Sequence, residues 1–122
     1  MPEVSVVLPT IDFTADVVII GAGASGLTAA LAAAENGAEV VVLERDASPS
    51  GSTSMSSGFV PAPGTRFQYA IGVTDDTAEL FFGDLQAKTY GKLDERLARL
   101  AAENISPAME WLADSCGVKL HV

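Results

Sequence analysis

The 122-residue chain has the length of one domain, enough to bury one hydrophobic core and too short for two. Hydrophobic residues make up 48% and charged residues 19%, which excludes general disorder. Lys and Arg number 7 against 16 Asp and Glu, and the net charge of -9 argues against a nucleic-acid binder and against an electrostatic membrane-surface binder.

Residues 1–15 read as a preamble with two prolines, Pro2 and Pro9, and a short edge strand over Val4–Leu8. They hold no basic n-region and no continuous apolar run, so a secretory signal is not expected there. Val17–Ala34 is uncharged over 18 residues, the length of a membrane span. Gly21, Gly23, Ser25 and Gly26 interrupt it, and its pattern changes midway. Val17–Ile20 is a β-branched run, as in a strand buried on both faces. Ser25 to about Asn36 is an Ala/Leu-rich helix, ended by Asn36-Gly37. Glu39–Glu44 reads as a second buried strand. Strand, helix and strand in this order predict a parallel, right-handed βαβ unit.

Asp46–Gly64 shifts in composition, with six serines, three glycines and three prolines. Such a stretch is commonly a flexible linker. Met55, Phe59 and Val60 are residues a plain linker would not need. Helical punctuation follows. Thr74 is an N-cap candidate, with Asp75 and Asp76 in the first turn, and the helix would run to about Thr89 and stop at Gly91. Leu93, Leu97 and Leu100 recur at helical spacing beside Arg96 and Arg99. Ser106-Pro107 reads as the start of a further helix, with Trp111 and Leu112 on its inner face up to Gly117. Val118–Val122 resembles the start of another strand. No internal repeat occurs.

Gly21-Ala22-Gly23-Ala24-Ser25-Gly26 is G-x-G-x-x-G placed between a strand and a helix. In that context each glycine has a role. Gly21 permits the tight turn, Gly23 lets backbone approach a pyrophosphate, and Gly26 lets helix and strand pack closely. The helix N-terminus offers free N–H groups to phosphate. Glu44 ends the second strand 18 residues beyond Gly26, where a carboxylate accepts ribose hydroxyls and repels a 2′-phosphate. The plain alternative is a structural glycine turn and an ordinary surface glutamate. The fold class is therefore α/β, the N-terminal part of a Rossmann-like dinucleotide-binding domain over 16–122, expected to be incomplete without further chain, with a helical excursion over 74–116. The βαβ argument leaves NAD and FAD both open.

The run VVIIGAGASGLTAALAAAENGAEVVVLER, followed by GSTSMSSGFVPAPGTRFQ, resembles the FAD-binding fumarate reductase/succinate dehydrogenase flavoprotein family. That superfamily includes 3-ketosteroid dehydrogenases, urocanate reductases and tricarballylate dehydrogenase. The resemblance implies cofactor contacts from Gly21, Gly23, Ala24, Ser25, Gly26, Glu44 and Arg45. The family's second glycine-rich segment falls on Ser50–Phe59 and implies contacts from Gly51, Ser52, Thr53, Ser57 and Gly58. Ser50 and Ser52 stand where the family usually has Gly and Asn, and Phe59 where a second glycine is common. Serine hydroxyls can bond phosphate oxygens.

Other residues read more plainly. One cysteine, Cys116, cannot form an internal disulfide, so a reducing, cytoplasmic setting is expected, with Cys116 buried and inert. Cys116 and His121 together cannot build a zinc site. Arg45 and Arg66 could serve anions but read by default as solvated. Phe67, Phe81, Phe82 and Trp111 read as core.

The resemblance implies a flavin-dependent oxidoreductase acting on a C–C single or double bond by hydride transfer. FAD is expected to be non-covalent, since no His, Cys or Tyr lies within Ser52–Gly58. Family members are several hundred residues long, with a capping domain and catalytic residues in later regions. A companion polypeptide carrying those parts is therefore expected, and no catalytic residue is assigned here. The alternatives are a stand-alone flavin-binding module and an NAD-linked Rossmann protein.

Overall fold

A computed structural model describes residues 13–122, which divide into two compact units between Ser57 and Gly58. The Val4–Leu8 strand expected from sequence lies outside the described residues.

The first unit is built on β1 (Val17–Ile20), α1 (Ala24–Glu35), β2 (Val40–Leu43) and the single turn α2 (Gly51–Ser54). The strands are parallel, in register from Val17 opposite Val40 to Ile20 opposite Leu43. Backbone bonds frame the ladder at both ends, Asp16 N–H to the Glu39 carbonyl at 2.9 Å and Gly21 N–H to the Leu43 carbonyl at 2.7 Å. Asp16 Oδ2 also accepts the Glu39 N–H at 2.8 Å, which fixes where β2 starts. Helix α1 ends at Asn36, as the Asn-Gly pair predicts, and Gly37 follows with φ +83°. The uncharged run from Val17 to Ala34 is thus strand, turn and helix, and no described helix is long and apolar enough to cross a membrane.

β1 is covered on one face, not two. Val17 and Ile19 are half-buried, while Val18 and Ile20 are exposed, Ile20 to 87%. The physical reason is α1. Ile19 Cγ2 lies 3.3 Å from the place a Cβ on Gly26 would occupy, so the Ile19 side of the strand is the one the helix covers.

The second unit contains α3 (Arg66–Ala70), α4 (Ala78–Lys88) and α5 (Glu95–Cys116). A capping box starts α3: Thr65 Oγ1 accepts the Gln68 N–H, and Gln68 Oε1 accepts the Thr65 N–H at 3.0 Å. The N-cap of α4 is Thr77, whose hydroxyl accepts the Leu80 N–H at 3.2 Å, not Thr74. Asp76 lies outside the helix, because its carboxylate accepts from Gln68 Nε2 at 2.6 Å. After α4 the chain turns through Tyr90 (φ 53°) and Gly91, where a stop is predicted.

Ser106-Pro107 does not begin a helix. It lies inside α5, which runs unbroken for 22 residues from its N-cap Asp94. Ser106 is buried, and its hydroxyl donates to the Pro63 carbonyl at 2.6 Å. The inner stripe of α5 is also displaced from the expected one. Leu97 and Leu100 are exposed, whereas Ala102 is only 2% exposed. Phe82 of α4 is 3% exposed, and the Arg99 guanidinium stands 3.9 Å over its ring.

Cys116 is half-buried in the last turn of α5, not fully buried. Val118–Val122 forms no strand. The Val118 N–H bonds back to the Leu112 carbonyl at 3.2 Å, closing the helix end beyond Gly117.

Candidate dinucleotide site

The first unit carries a cleft of about 360 Å³ at the junction of β1, α1, β2 and α2. Its walls are the glycine loop and first turn of α1 (Ile20, Gly21, Gly23, Ala24, Ser25, Gly26), the end of β2 (Glu44, Arg45, Asp46) and the segment Ser50–Thr53. Three stretches that sequence reading takes as separate motifs therefore meet around one space. Ser57 and Gly58 do not line it. Ile20 and Asp46 do, without having been assigned a role from sequence, and so does Ser50, which opens the second glycine-rich segment.

The loop's geometry separates its glycines by role. Gly21 has φ +98°, a left-handed conformation natural to glycine. A Cβ on Gly26 would sit 2.0 Å from the Gly21 carbonyl oxygen, so Gly26 is required by the fold itself. A Cβ on Gly23 would meet only Thr53 Oγ1, at 3.4 Å, an ordinary contact. The chain's own packing leaves Gly23 free, so its bareness serves the cleft.

Glu44 is tied into the loop. Its Oε2 accepts the Ala22 N–H at 2.8 Å, and its Oε1 accepts the Asp46 N–H at 3.0 Å. The Asp46 N–H, then the Ala22 N–H, hold the Glu44 carboxyl below its ordinary value. Asp46 Oδ2 accepts from Ser50 Oγ at 2.7 Å, and that hydroxyl, with Arg45 second, lowers the Asp46 carboxyl. Arg45 pairs with Asp46 at 3.3 Å but is 90% exposed, so the pair contributes little stability. On the other side of the cleft Thr53 Oγ1 accepts the Ala24 N–H at 3.0 Å. It supplies a cap that Gly23, at the N-cap of α1, has no side chain to give.

These residues fit FAD. Among the described residues, no hydrogen-bond partner takes the N–H groups of Ser25 and Gly26, which open α1 toward the cleft. Free N–H groups at a helix start, a bare glycine and small hydroxyls suit a pyrophosphate. A carboxylate has about four lone-pair sites, so Glu44 can still accept from ribose while holding Ala22 and Asp46.

Comparison with known proteins supplies the family. The profile of the FAD binding domain family matches residues 16–122. NADH:fumarate oxidoreductase of Klebsiella pneumoniae is 38% identical over 106 residues, which is 87% of this chain and 11% of that protein. Urocanate reductase of Eggerthella lenta is 38% identical over 103 residues, 84% of this chain and 17% of that protein. Among solved structures, 3-ketosteroid-Δ4-(5α)-dehydrogenase from Rhodococcus jostii RHA1, in complex with 4-androstene-3,17-dione, matches with a TM-score of 0.78 at 36% identity, over 89% of this chain and 22% of that chain. The chain thus spans between about a tenth and a fifth of the length of these relatives. The fumarate reductase-like resemblance stated from the glycine segments holds. The chain belongs to the FAD binding domain family, and its cofactor is FAD.

Proposed function

We propose that this chain forms the dinucleotide-holding part of a flavin-dependent oxidoreductase that reduces an alkene or dehydrogenates a C–C bond. The observation that carries the reading is the single cleft shared by the glycine loop, Glu44 and Ser50–Thr53. FAD, when bound, supplies hydride transfer at its flavin ring. The chain's own residues bind and orient. The N–H groups of Ser25 and Gly26 take the pyrophosphate, with Gly21, Gly23 and Ala24 shaping its approach. Glu44 accepts the adenosine ribose, and its charge disfavours a 2′-phosphate. Gly51, Ser52 and Thr53 extend contact along the phosphates, with Ser57 and Gly58 beyond them toward the flavin, and Arg45 stands at the cleft's outer edge.

FAD is held non-covalently in this reading, because Ser52–Gly58 offers no attachment side chain. A further polypeptide supplies the capping domain and the catalytic residues, consistent with the relatives' greater length. The setting is cytoplasmic, in keeping with the lone Cys116. The purified protein is denatured and the supernatant analysed. Free FAD is the expected result. NAD in the supernatant, or flavin retained on the precipitated chain, contradicts the reading. Light scattering after size exclusion checks the partner. A monodisperse 12.6 kDa monomer that binds FAD tightly favours a stand-alone flavin module instead.

A further inference from the structure

We infer that Asp46 and Ser50 are positioning residues that complete a hydrogen-bonded circuit joining the glycine loop to α2 around the cleft. The inference rests on the reading of this cleft as the FAD site. The circuit can be followed bond by bond. Ala22 N–H donates to Glu44, the Asp46 N–H donates to the other oxygen of Glu44, and Ser50 Oγ donates to Asp46 Oδ2. The backbone leads from Ser50 through α2 to Thr53, whose hydroxyl accepts the N–H of Ala24, back in the glycine loop.

Two features show that this is more than proximity. Ser50 is the N-cap of α2, where a serine ordinarily bonds the backbone of the turn it starts, yet its side chain makes no cap bond. The hydroxyl turns instead to Asp46, and its one proton is committed there at 2.7 Å. Ser50 is therefore not a phosphate donor in this arrangement, and that work falls to Ser52 and Thr53. Second, α2 is only four residues long. A single turn has no stability of its own in water, so tertiary ties must hold it. The ties on the two ends of α2 are Ser50 to Asp46 and Thr53 to Ala24. Releasing the first frees the start of α2, and with it the placement of Gly51 and Ser52 at the cleft wall.

The test uses the full 122-residue chain. Ser50→Ala, Asp46→Ala, the double variant and Ser50→Thr are titrated with FAD by calorimetry. Amide hydrogen exchange is measured on the same proteins without FAD. Each single change is expected to weaken FAD binding about 3- to 10-fold, the range of one neutral or partly charged hydrogen bond. The double variant should be no weaker than the worse single one, because both remove the same link. Ser50→Thr, which keeps the hydroxyl, should restore affinity. In the FAD-free proteins, exchange at Met55 and Ser56, whose N–H groups bond back to the Ser52 and Thr53 carbonyls, should accelerate in Ser50→Ala and Asp46→Ala and return to the wild-type rate in Ser50→Thr. Additive losses, unchanged affinity or unchanged exchange each overturn the inference. A wild-type chain that binds no FAD on its own fits the need for a further polypeptide, and the exchange arm then decides: accelerated exchange in the FAD-free variants supports the circuit and unchanged exchange overturns it.

Discussion

Glu44 Oε2 accepts the backbone N–H of Ala22 at 2.8 Å, across 22 residues of sequence. The acid that sequence reading reserves for a ribose is thus also the strut that holds the glycine loop against the end of β2. Under the proposed reading, replacing it removes a ligand contact and loosens the loop together. Glu44→Ala should weaken FAD binding about 10- to 100-fold, the range for hydrogen bonds to a charged group. Calorimetric titration is the measurement, and a variant that binds within twofold of wild type would exclude both roles.

Acid should unsettle this chain in a defined window. Glu44, from an ordinary 4.5, and Asp46 and Asp114, each from an ordinary 3.8, are all held below those values. The largest causes are the Asp46 N–H, the Ser50 hydroxyl and Arg66 respectively. A depressed folded value means the carboxylate stabilises the fold above its unfolded value, and that support is lost as pH falls through the folded value. Thermal midpoints should therefore be insensitive to these groups at about pH 5 to 7 and decline below the ordinary carboxylate range. Glu44→Gln should flatten part of that decline. An acid limb identical in wild type and variant would contradict the assignment.

The glycines of the loop should separate into two kinds. Gly26→Ala forces a Cβ to within 2.0 Å of the Gly21 carbonyl oxygen, so backbone must move. A loss of about 1–3 kcal/mol or more is expected by chemical denaturation. Gly23→Ala meets only Thr53 Oγ1 and should keep stability within about 1 kcal/mol. Its FAD affinity should nonetheless fall, and Gly23→Val should lower it further. If Gly23→Val binds FAD as wild type does, the pyrophosphate does not lie over this glycine.

Ser106 and Pro107 are adjacent and should respond in opposite directions. Ser106→Ala leaves the Pro63 carbonyl without its buried donor, at a cost of about 1–2 kcal/mol. Pro107 interrupts the hydrogen-bond ladder inside α5. Pro107→Ala restores an N–H for the Glu103 carbonyl and should raise stability by about 1–3 kcal/mol. Differential scanning calorimetry of both variants reads the two signs directly. A lowered melting temperature for Pro107→Ala would mean that its ring packs against something the helix needs.

The βαβ core was readable because its signals are local and redundant. The β-branched run at Val17–Ile20, the three glycines and the Asn36-Gly37 stop each specify one boundary, and the observed elements differ from those boundaries by about a residue. The continuity of α5 was not readable. Ser106-Pro107 is a good helix start when viewed along the chain, and only the bond to Pro63, 43 residues away, shows why the serine is buried inside a helix. The buried stripe through Ala102 was hidden by more hydrophobic neighbours, since Leu97 and Leu100 carry the stronger pattern. Asp46 and Ser50 sit at the start of a stretch with six serines, where nothing but three-dimensional pairing distinguishes one hydroxyl from another.

Every side chain of the polar circuit lies between Gly21 and Thr53, and its longest link joins residues only 29 apart. The contacts that close the cleft thus need no later part of the polypeptide. During synthesis, at about 5–20 residues per second, they can form within seconds of Thr53 leaving the ribosome. Cofactor capture at that stage would stabilise the nascent unit by mass action. FAD supply would then act on the yield of the folded unit itself.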